Sequence, residues 1–277
     1  MTGLKERHEA FFTMHQSGCF VIPNPWDAGS ARVLAALGAK ALATTSAGFA
    51  FTLGRPDMGN VTRDEALAHA EAIVSATPLP VSGDFENGFA DEPDEVAETI
   101  RLAREAGLSG CSIEDTRMVG DHPAYAFELA VDRISAAVDA ARSLPDPFIL
   151  CARADGVLTG SYDLEEATRR VAAFAAAGAD MVYIPLLPGI EALEALTEAI
   201  PVPVNALAAG KLAQYSVKEL AEAGARRISV GSMLARVAHA ALRDSARSLL
   251  VDGSFAGFAN AASGKEVDAL LRKGSGQ

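Results

Sequence analysis

An alternation that repeats eight times constrains this chain more than any other feature. Short apolar runs of strand character are separated by Ala-rich segments of helical period. The runs are CFVIP from Cys19, KALATTS from Lys40, PVSGDF from Pro80, SGCSIED from Ser109, FILCAR from Phe148, DMVYIP from Asp180, PVNAL from Pro203 and RRISVG from Arg226. The helical segments include DAGSARVLAALG, TRDEALAHAEAIVSAT, PDEVAETIRLAREAG, AFELAVDRISAAVDAARS, DLEEATRRVAAFAAAG and SVKELAEAG, several opening on an Asp, Thr or Ser that can cap free N–H groups. A crossover helix between successive strands forces them parallel, and eight parallel strands close with a filled interior. The expected fold is therefore α/β, a (β/α)8 TIM barrel in a single domain over residues 1–277, with about 254–277 as an extra C-terminal helical extension, packed on the barrel or crossing to another subunit. An open doubly wound sheet is the rival, weakened because no G-x-G-x-x-G follows the first run. Gly38, Gly107, Gly178 and Gly224 end four helices where the chain must reverse, a structural use of glycine.

The balance of charge narrows the partners. A formal net charge of -12 argues against nucleic acid and against an anionic membrane surface, since both reward clustered Lys and Arg. No apolar run approaches the roughly 18 residues of a spanning helix, and MTGLKERHEAFFTMHQ lacks a signal-peptide core. Cys19, Cys111 and Cys151 lie in or beside apolar runs and read as reduced small hydrophobes, so a cytoplasmic protein is expected.

In a parallel barrel the functional groups sit at the carboxyl ends of the strands. Here those ends carry Thr45, Ser46, Ala47 and Gly48 after the second run, Asp84 after the third, Glu114 and Asp115 after the fourth, Arg153 after the fifth and Asn205 in the seventh, with Asp57 on the long loop GFAFTLGRPDMGN. Each alone has a structural alternative: Asp84 and Asp115 as helix caps, Arg153 as the counter-ion of Asp155, Asn205 as a turn residue. Glu114 resists this, because strand alternation puts its neighbours Ile113 and Asp115 on the other face. Oxygen acids converging without a His or Cys pair suit a hard divalent cation that keeps several waters. Arg153 offers a planar fork for a carboxylate, while Ser46 and the N–H groups near Ala47 and Gly48 can bind an oxygen as charge develops on it. The five histidines have no metal-ligand spacing and read as mostly solvated helix residues, with His122 placed to reach the site from the loop after the fourth run. Asp27 reads as an N-cap.

IPNPWDAGSARVLAALG, TTSAGFAFTLGRPD, DFENGF, SIEDT, CARADG, PVNALA and RRISVGS, in this order and spacing from about residue 11 to residue 250, resemble the isocitrate lyase/phosphoenolpyruvate mutase superfamily. The resemblance implies an α/β barrel, usually a tetramer with the last helix swapped between paired subunits, and small 2-oxo or 2-hydroxy acids bound to Mg²⁺, with Mn²⁺ as a substitute. It implies that Asp84 is the direct metal ligand with Asp57, Glu86 and Glu114 in a water-mediated shell. It implies that Ser46, Ala47 and Gly48 hold the acid's oxygens, that Arg153 lies near its carboxylate and that Asn205 lies near its distal end. Catalytic roles would fall to Arg153, Glu114 and Ser46. Glu86 stands where the superfamily commonly has Asp. The loop EDTRMVGDHPAYAF also departs from it, lacking both the Lys-Arg/Lys-Cys-Gly-His lid of isocitrate and methylisocitrate lyases and a recognisable mutase lid. It offers Arg117, Asp121 and His122 instead.

The expected function is a Mg²⁺-dependent lyase that cleaves a carbon–carbon bond in a small 2-hydroxy or 2-oxo dicarboxylic acid through a pyruvate-like enolate, in a homo-oligomer (dimer or tetramer). Oxaloacetate decarboxylation or hydrolysis belongs to the same mechanistic group. Phosphonopyruvate chemistry would need cationic groups from the lid, of which Arg117 is the obvious one. A non-catalytic oxo-acid-binding barrel is the reading of a different class.

Overall fold

A computed structural model describes residues 3–276. Eight strands, β1 (Phe20–Ile22), β2 (Leu42–Ala43), β3 (Val81–Asp84), β4 (Gly110–Glu114), β5 (Ile149–Arg153), β6 (Met181–Tyr183), β7 (Val204–Leu207) and β8 (Arg227–Ser229), form one parallel sheet in the order β1-β8-β7-β6-β5-β4-β3-β2. Every expected run is a strand, and the sheet curls into a nearly closed (β/α)8 barrel. Its two end strands meet through sparse contacts. The Ala43 N–H donates to Pro23 O at 3.1 Å. The Asn24 side chain donates to Thr44 O at 2.9 Å and accepts the Val230 and Gly231 N–H groups at 2.9 and 3.0 Å.

Alternation along each strand divides the core in two. Leu42, Val81, Cys111, Ile113, Leu150, Ala152, Val182, Val204, Ala206 and Ile228 face outward into the layer shared with the helices. Inside, Phe11, Ile22, Ala41 and Ile149 make one apolar cluster and Cys151, Met181 and Tyr183 another. Phe11 belongs to α1 (Leu4–Met14), which thereby closes the amino-terminal mouth of the barrel.

The helices α2 (Ala28–Ala36), α4 (Arg63–Ala76), α5 (Pro93–Glu105), α6 (Phe127–Arg142), α8 (Leu164–Ala176), α9 (Ile190–Ala199), α10 (Val217–Glu222) and α11 (Met233–Leu250) surround the barrel, and two short ones, α3 (Ser46–Thr52) and α7 (Gly156–Thr159), follow β2 and β5. Asp27, Thr62, Asp163 and Ser216 cap α2, α4, α8 and α10 through their side chains. The glycines at positions 38, 107, 178 and 224 all adopt positive φ at helix ends. The extension forms α12 (Gly264–Gly274), which lies along α2 of its own chain. Contact there is close enough that a Cβ on Gly274 would come within 1.8 Å of Arg32 O. Among the described residues no helix is long and apolar enough to cross a membrane.

Two expectations need correction. The start of GFAFTLGRPDMGN is not loop: α3 occupies it, capped by Thr45, whose Oγ1 accepts the Gly48 N–H at 3.2 Å. Nor are the histidines mostly solvated. His8 and His15 are buried, His69 stacks on Phe49 with ring centroids 3.9 Å apart, and His239 is the exposed one. His8, Phe11 and His15 form one stripe of α1 that is driven against the barrel together.

Candidate active site

Inward-facing residues near the carboxyl ends of the strands are small or polar (Ala43, Ser82, Ser112), so the interior does not fill and a cavity of about 270 Å³ opens there. That size admits a small acid and falls below the few hundred Å³ that larger ligands occupy.

Asp84 is the hub. Its Oδ2 accepts the Ser46 N–H at 2.9 Å and the Ser46 hydroxyl at 3.0 Å, and its Oδ1 accepts Arg153 Nη1 at 2.7 Å and Ser112 Oγ at 3.5 Å. The Asp84 N–H donates to Thr44 Oγ1 at 2.8 Å. Ser46 reaches Asp84 because α3 starts there. Gly48 lets α3 approach so closely, since a Cβ on it would lie 2.6 Å from Thr45 Cγ2 and 3.0 Å from Trp26 Cβ.

Arg153 is fully engaged with acids. Nη1 also lies 3.2 Å from Glu114 Oε2, while Nη2 and Nε donate to Asp155 at 2.7 and 3.1 Å. The guanidinium sits over the Tyr183 ring, 4.9 Å from its centroid. Burial would discharge it, but the Asp155, Glu114 and Asp84 charges hold it cationic. Arg153 therefore does more than neutralise Asp155.

Around this pair the acids are under strain. Burial first, then the charges of Asp155, Asp84 and Glu86, push Glu114 well above the usual carboxylate range, against the opposing effect of Arg153. Asp57 is raised by burial and by Asp84. Glu86 is pushed up to about 7, chiefly by burial, with Asp84 and Asp57 adding to it. Its backbone is held at φ 45°, in the left-handed region. Its Oε1 accepts the Gly59 N–H at 3.0 Å, and its buried Oε2 has no partner.

The predicted residues do not all meet. Asp57, Asp84, Ser46, Ala47, Arg153 and Asn205 line the cavity, while Glu86 borders an adjoining crevice that also touches Asp84. Glu114 stands behind Arg153, and Gly48 spends its N–H on its own cap. Asn205 is no turn residue: it faces into the barrel from β7, donating to Ser229 Oγ at 2.9 Å and accepting Arg227 Nε at 2.7 Å. Asp115, counted among the converging acids, points the other way. It is bound by Arg170, the Tyr162 hydroxyl and the Asp155 N–H, at 2.8–2.9 Å, and is structural. The loop after β4 folds on itself through a Thr116–Ala124 bridge, with Arg117 paired to Asp91 and stacked on Tyr125, away from the cavity. His122 accompanies it, with Nδ1 3.2 Å from Arg117 O.

Sequence reasoning missed Ser112, Tyr183, Arg227 and Ser229, which line the same cavity. Ser112 stands two residues before Glu114 on the same face of β4, so counting back in steps of two from each strand end would have found it.

The donor set can be tested against a divalent cation. Among the described residues no three His, Cys, Asp or Glu side chains are placed to hold a metal ion directly. A cation held by one carboxylate and several waters needs no such trio. The unpartnered Glu86 Oε2 and the mutually repelling acids about Asp84 fit a divalent cation.

A small cavity at the carboxyl end of a parallel barrel, with a carboxylate hub and a buried arginine, defines a barrel enzyme for small acids. The phosphoenolpyruvate phosphomutase family model matches residues 11–250, and the chain belongs to the isocitrate lyase/phosphoenolpyruvate mutase superfamily. It is 32% identical to 2-methylisocitrate lyase of Shewanella oneidensis over 225 residues, covering 78% of this chain and 75% of that protein. It is 37% identical to 2,3-dimethylmalate lyase of Eubacterium barkeri over 189 residues, 65% of this chain and 63% of that protein. The crystal structure of a candidate lyase/mutase from Burkholderia cenocepacia J2315 superposes with a TM-score of 0.92 at 47% identity, covering 96% of this chain and 95% of that one. The first two relatives are lyases of small acids by name, and this chain is an enzyme of the same superfamily.

Proposed function

We propose that the protein is a Mg²⁺-dependent lyase that cleaves a carbon–carbon bond in a small 2-hydroxy or 2-oxo dicarboxylic acid, leaving a pyruvate-like enolate. The observation that carries this reading is the Asp84 hub, a carboxylate tied to Ser46, Ser112 and Arg153 on the wall of a cavity of about 270 Å³. Asp84 would hold the metal directly, with Asp57, Glu86 and Glu114 acting through water. A bound Mg²⁺ supplies Lewis-acid stabilisation of developing oxyanion charge, a contribution of several kcal/mol.

The remaining roles belong to the chain itself. Ser46 and the Ala47 N–H orient the head of the acid. Arg153, locked by Asp84, Glu114 and Asp155, keeps a fixed positive charge at the wall where the enolate's negative charge grows, without reorganising during reaction. Glu114 positions that guanidinium. The names of the two curated relatives favour carbon–carbon cleavage over phosphorus chemistry, and the pairing of Arg117 with Asp91 takes away the lid cation that a phosphoryl group would need. The exposed apolar residues Val237 and Leu242 on α11, with Val251 and Phe255 just beyond it, support a homo-oligomer. The free thiols of Cys19, Cys111 and Cys151 support the cytoplasm.

The test is pyruvate or glyoxylate release from a panel of 2-hydroxy and 2-oxo dicarboxylates plus phosphonopyruvate, with Mg²⁺ and then with chelator. Chelator-sensitive release from a carbon acid is expected. Phosphate release from phosphonopyruvate alone, or release indifferent to chelator, would overturn the proposal.

A further inference from the structure

Three arginines line the cavity: Arg236 is exposed on α11, and the two on the barrel strands, Arg153 and Arg227, are in opposite situations. Strand register joins Arg153, Tyr183, Asn205 and Arg227 as successive partners across β5 to β8, and all four line the cavity. Arg153 meets three carboxylates. Arg227, 5% exposed, forms no ion pair among the described residues. Its Nε donates to Asn205 Oδ1 at 2.7 Å, and its buried Nη1 has no partner at all. His15, beneath it, supplies no balancing charge and is itself held neutral by burial and by the Arg227 charge.

A buried guanidinium without an acid is costly in an isolated protein, because the desolvation of its charge is not compensated. The cost disappears when an anion enters. We infer that Arg227 is the specificity-determining residue of the cavity: with the Asn205 amide and Ser229 hydroxyl it receives the second carboxylate of the substrate at the cavity floor, while the head of the acid stays at Ser46 and Asp84. Arg153 cannot serve at that position, since its donors are already committed to Asp84, Glu114 and Asp155. Asn205, held between Arg227 and Ser229, fixes the direction of the fork. The inference rests on the dicarboxylate reading of the site and deepens it by naming the residue that reads the second carboxylate, so monocarboxylic 2-hydroxy or 2-oxo acids should bind more weakly because they leave Arg227 without an anion.

Malate and lactate share a 2-hydroxy-acid head and differ by one carboxylate, so their binding to the full chain with Mg²⁺, measured by calorimetry, isolates the second group. Wild type is expected to bind malate about tenfold or more tighter than lactate. Arg227→Met should bring malate down to the level of lactate and leave lactate unchanged, with Arg227→Lys in between. If Arg227→Met does not fold, the lysine variant carries the test through its selective loss for malate. Equal affinity of wild type for the two acids would overturn the inference. So would malate binding indifferent to the substitution, or a loss shared equally by both acids. Binding is read without turnover, so silence in the product-release assay would count against the lyase reading alone.

Discussion

The two mouths of this barrel bury titratable side chains in opposite ways. At the amino-terminal mouth, α1 presses His8, Phe11 and His15 against the strand starts, and burial pushes the two imidazoles down to about 4 and about 3. They are kept as neutral, shape-filling groups. At the carboxyl-terminal mouth Asp57, Asp84, Glu86 and Glu114 crowd about Arg153, and burial raises Asp57, Glu86 and Glu114 without removing their proximity. Fold stability would favour discharging both ends. Only one end is assembled so that charge persists where a ligand can enter, and that asymmetry separates function from packing.

Breaking the charged mouth should have the largest effect. Asp84→Ala is expected to lower kcat by about a thousandfold, through loss of the metal and of the anchor for Ser46 and Arg153, with the fold intact by circular dichroism. Survival of Mg²⁺-dependent turnover would refute the hub. The opposite mouth should answer in stability instead. Phe11→Ala should cost about 3–5 kcal/mol in denaturant unfolding and leave turnover per folded molecule nearly unchanged.

Acid sharpens the contrast. The folded-state pKa of His15, about 3, lies below its ordinary 6.5, so the unfolded chain binds the extra proton between those values. The stability is therefore complete above about pH 6.5 and is lost as pH falls toward 3. From pH 7 to pH 5 His15 contributes a loss on the order of 2 kcal/mol in thermal or urea unfolding, His8 a similar one, and His15→Leu should remove about half of that combined slope. Ser112→Ala should be the mildest change, less than about threefold in turnover, because a 3.5 Å contact to Asp84 is weak.

Strand ends and helix caps were legible because their signals are local. Asp84, Arg153 and Asn205 were found by reading where apolar alternation stops, and Asp27 by its place before a helical run. What remained hidden depends on distant chain. SAGFAFT has little helical signal, and α3 forms because Thr45 caps it and Trp26 and Ala235 pack against Gly48. His8 and His15 share a helical stripe with Phe11, but residue polarity masked that period. Glu114 and Asp115 were correctly assigned to opposite faces, yet the partners of Asp115 come from β5–α8 sequence, with Arg170 standing 55 positions away. Arg227 reads in sequence as one of a basic pair at a strand start, and only the empty space above it gives it meaning.

The sparse closure between β1 and β2 also has a kinetic consequence. Elsewhere around the barrel the strands are joined by ladders, but here one backbone bond and the Asn24 side chain complete the circle. Breathing motions of the native state should begin at this seam, so the Ala43 amide should exchange with deuterium ahead of those in β4 and β5. Since β2 runs directly into Thr45 and Ser46, each opening of that seam would loosen the part of the cavity wall on which Ser46 stands.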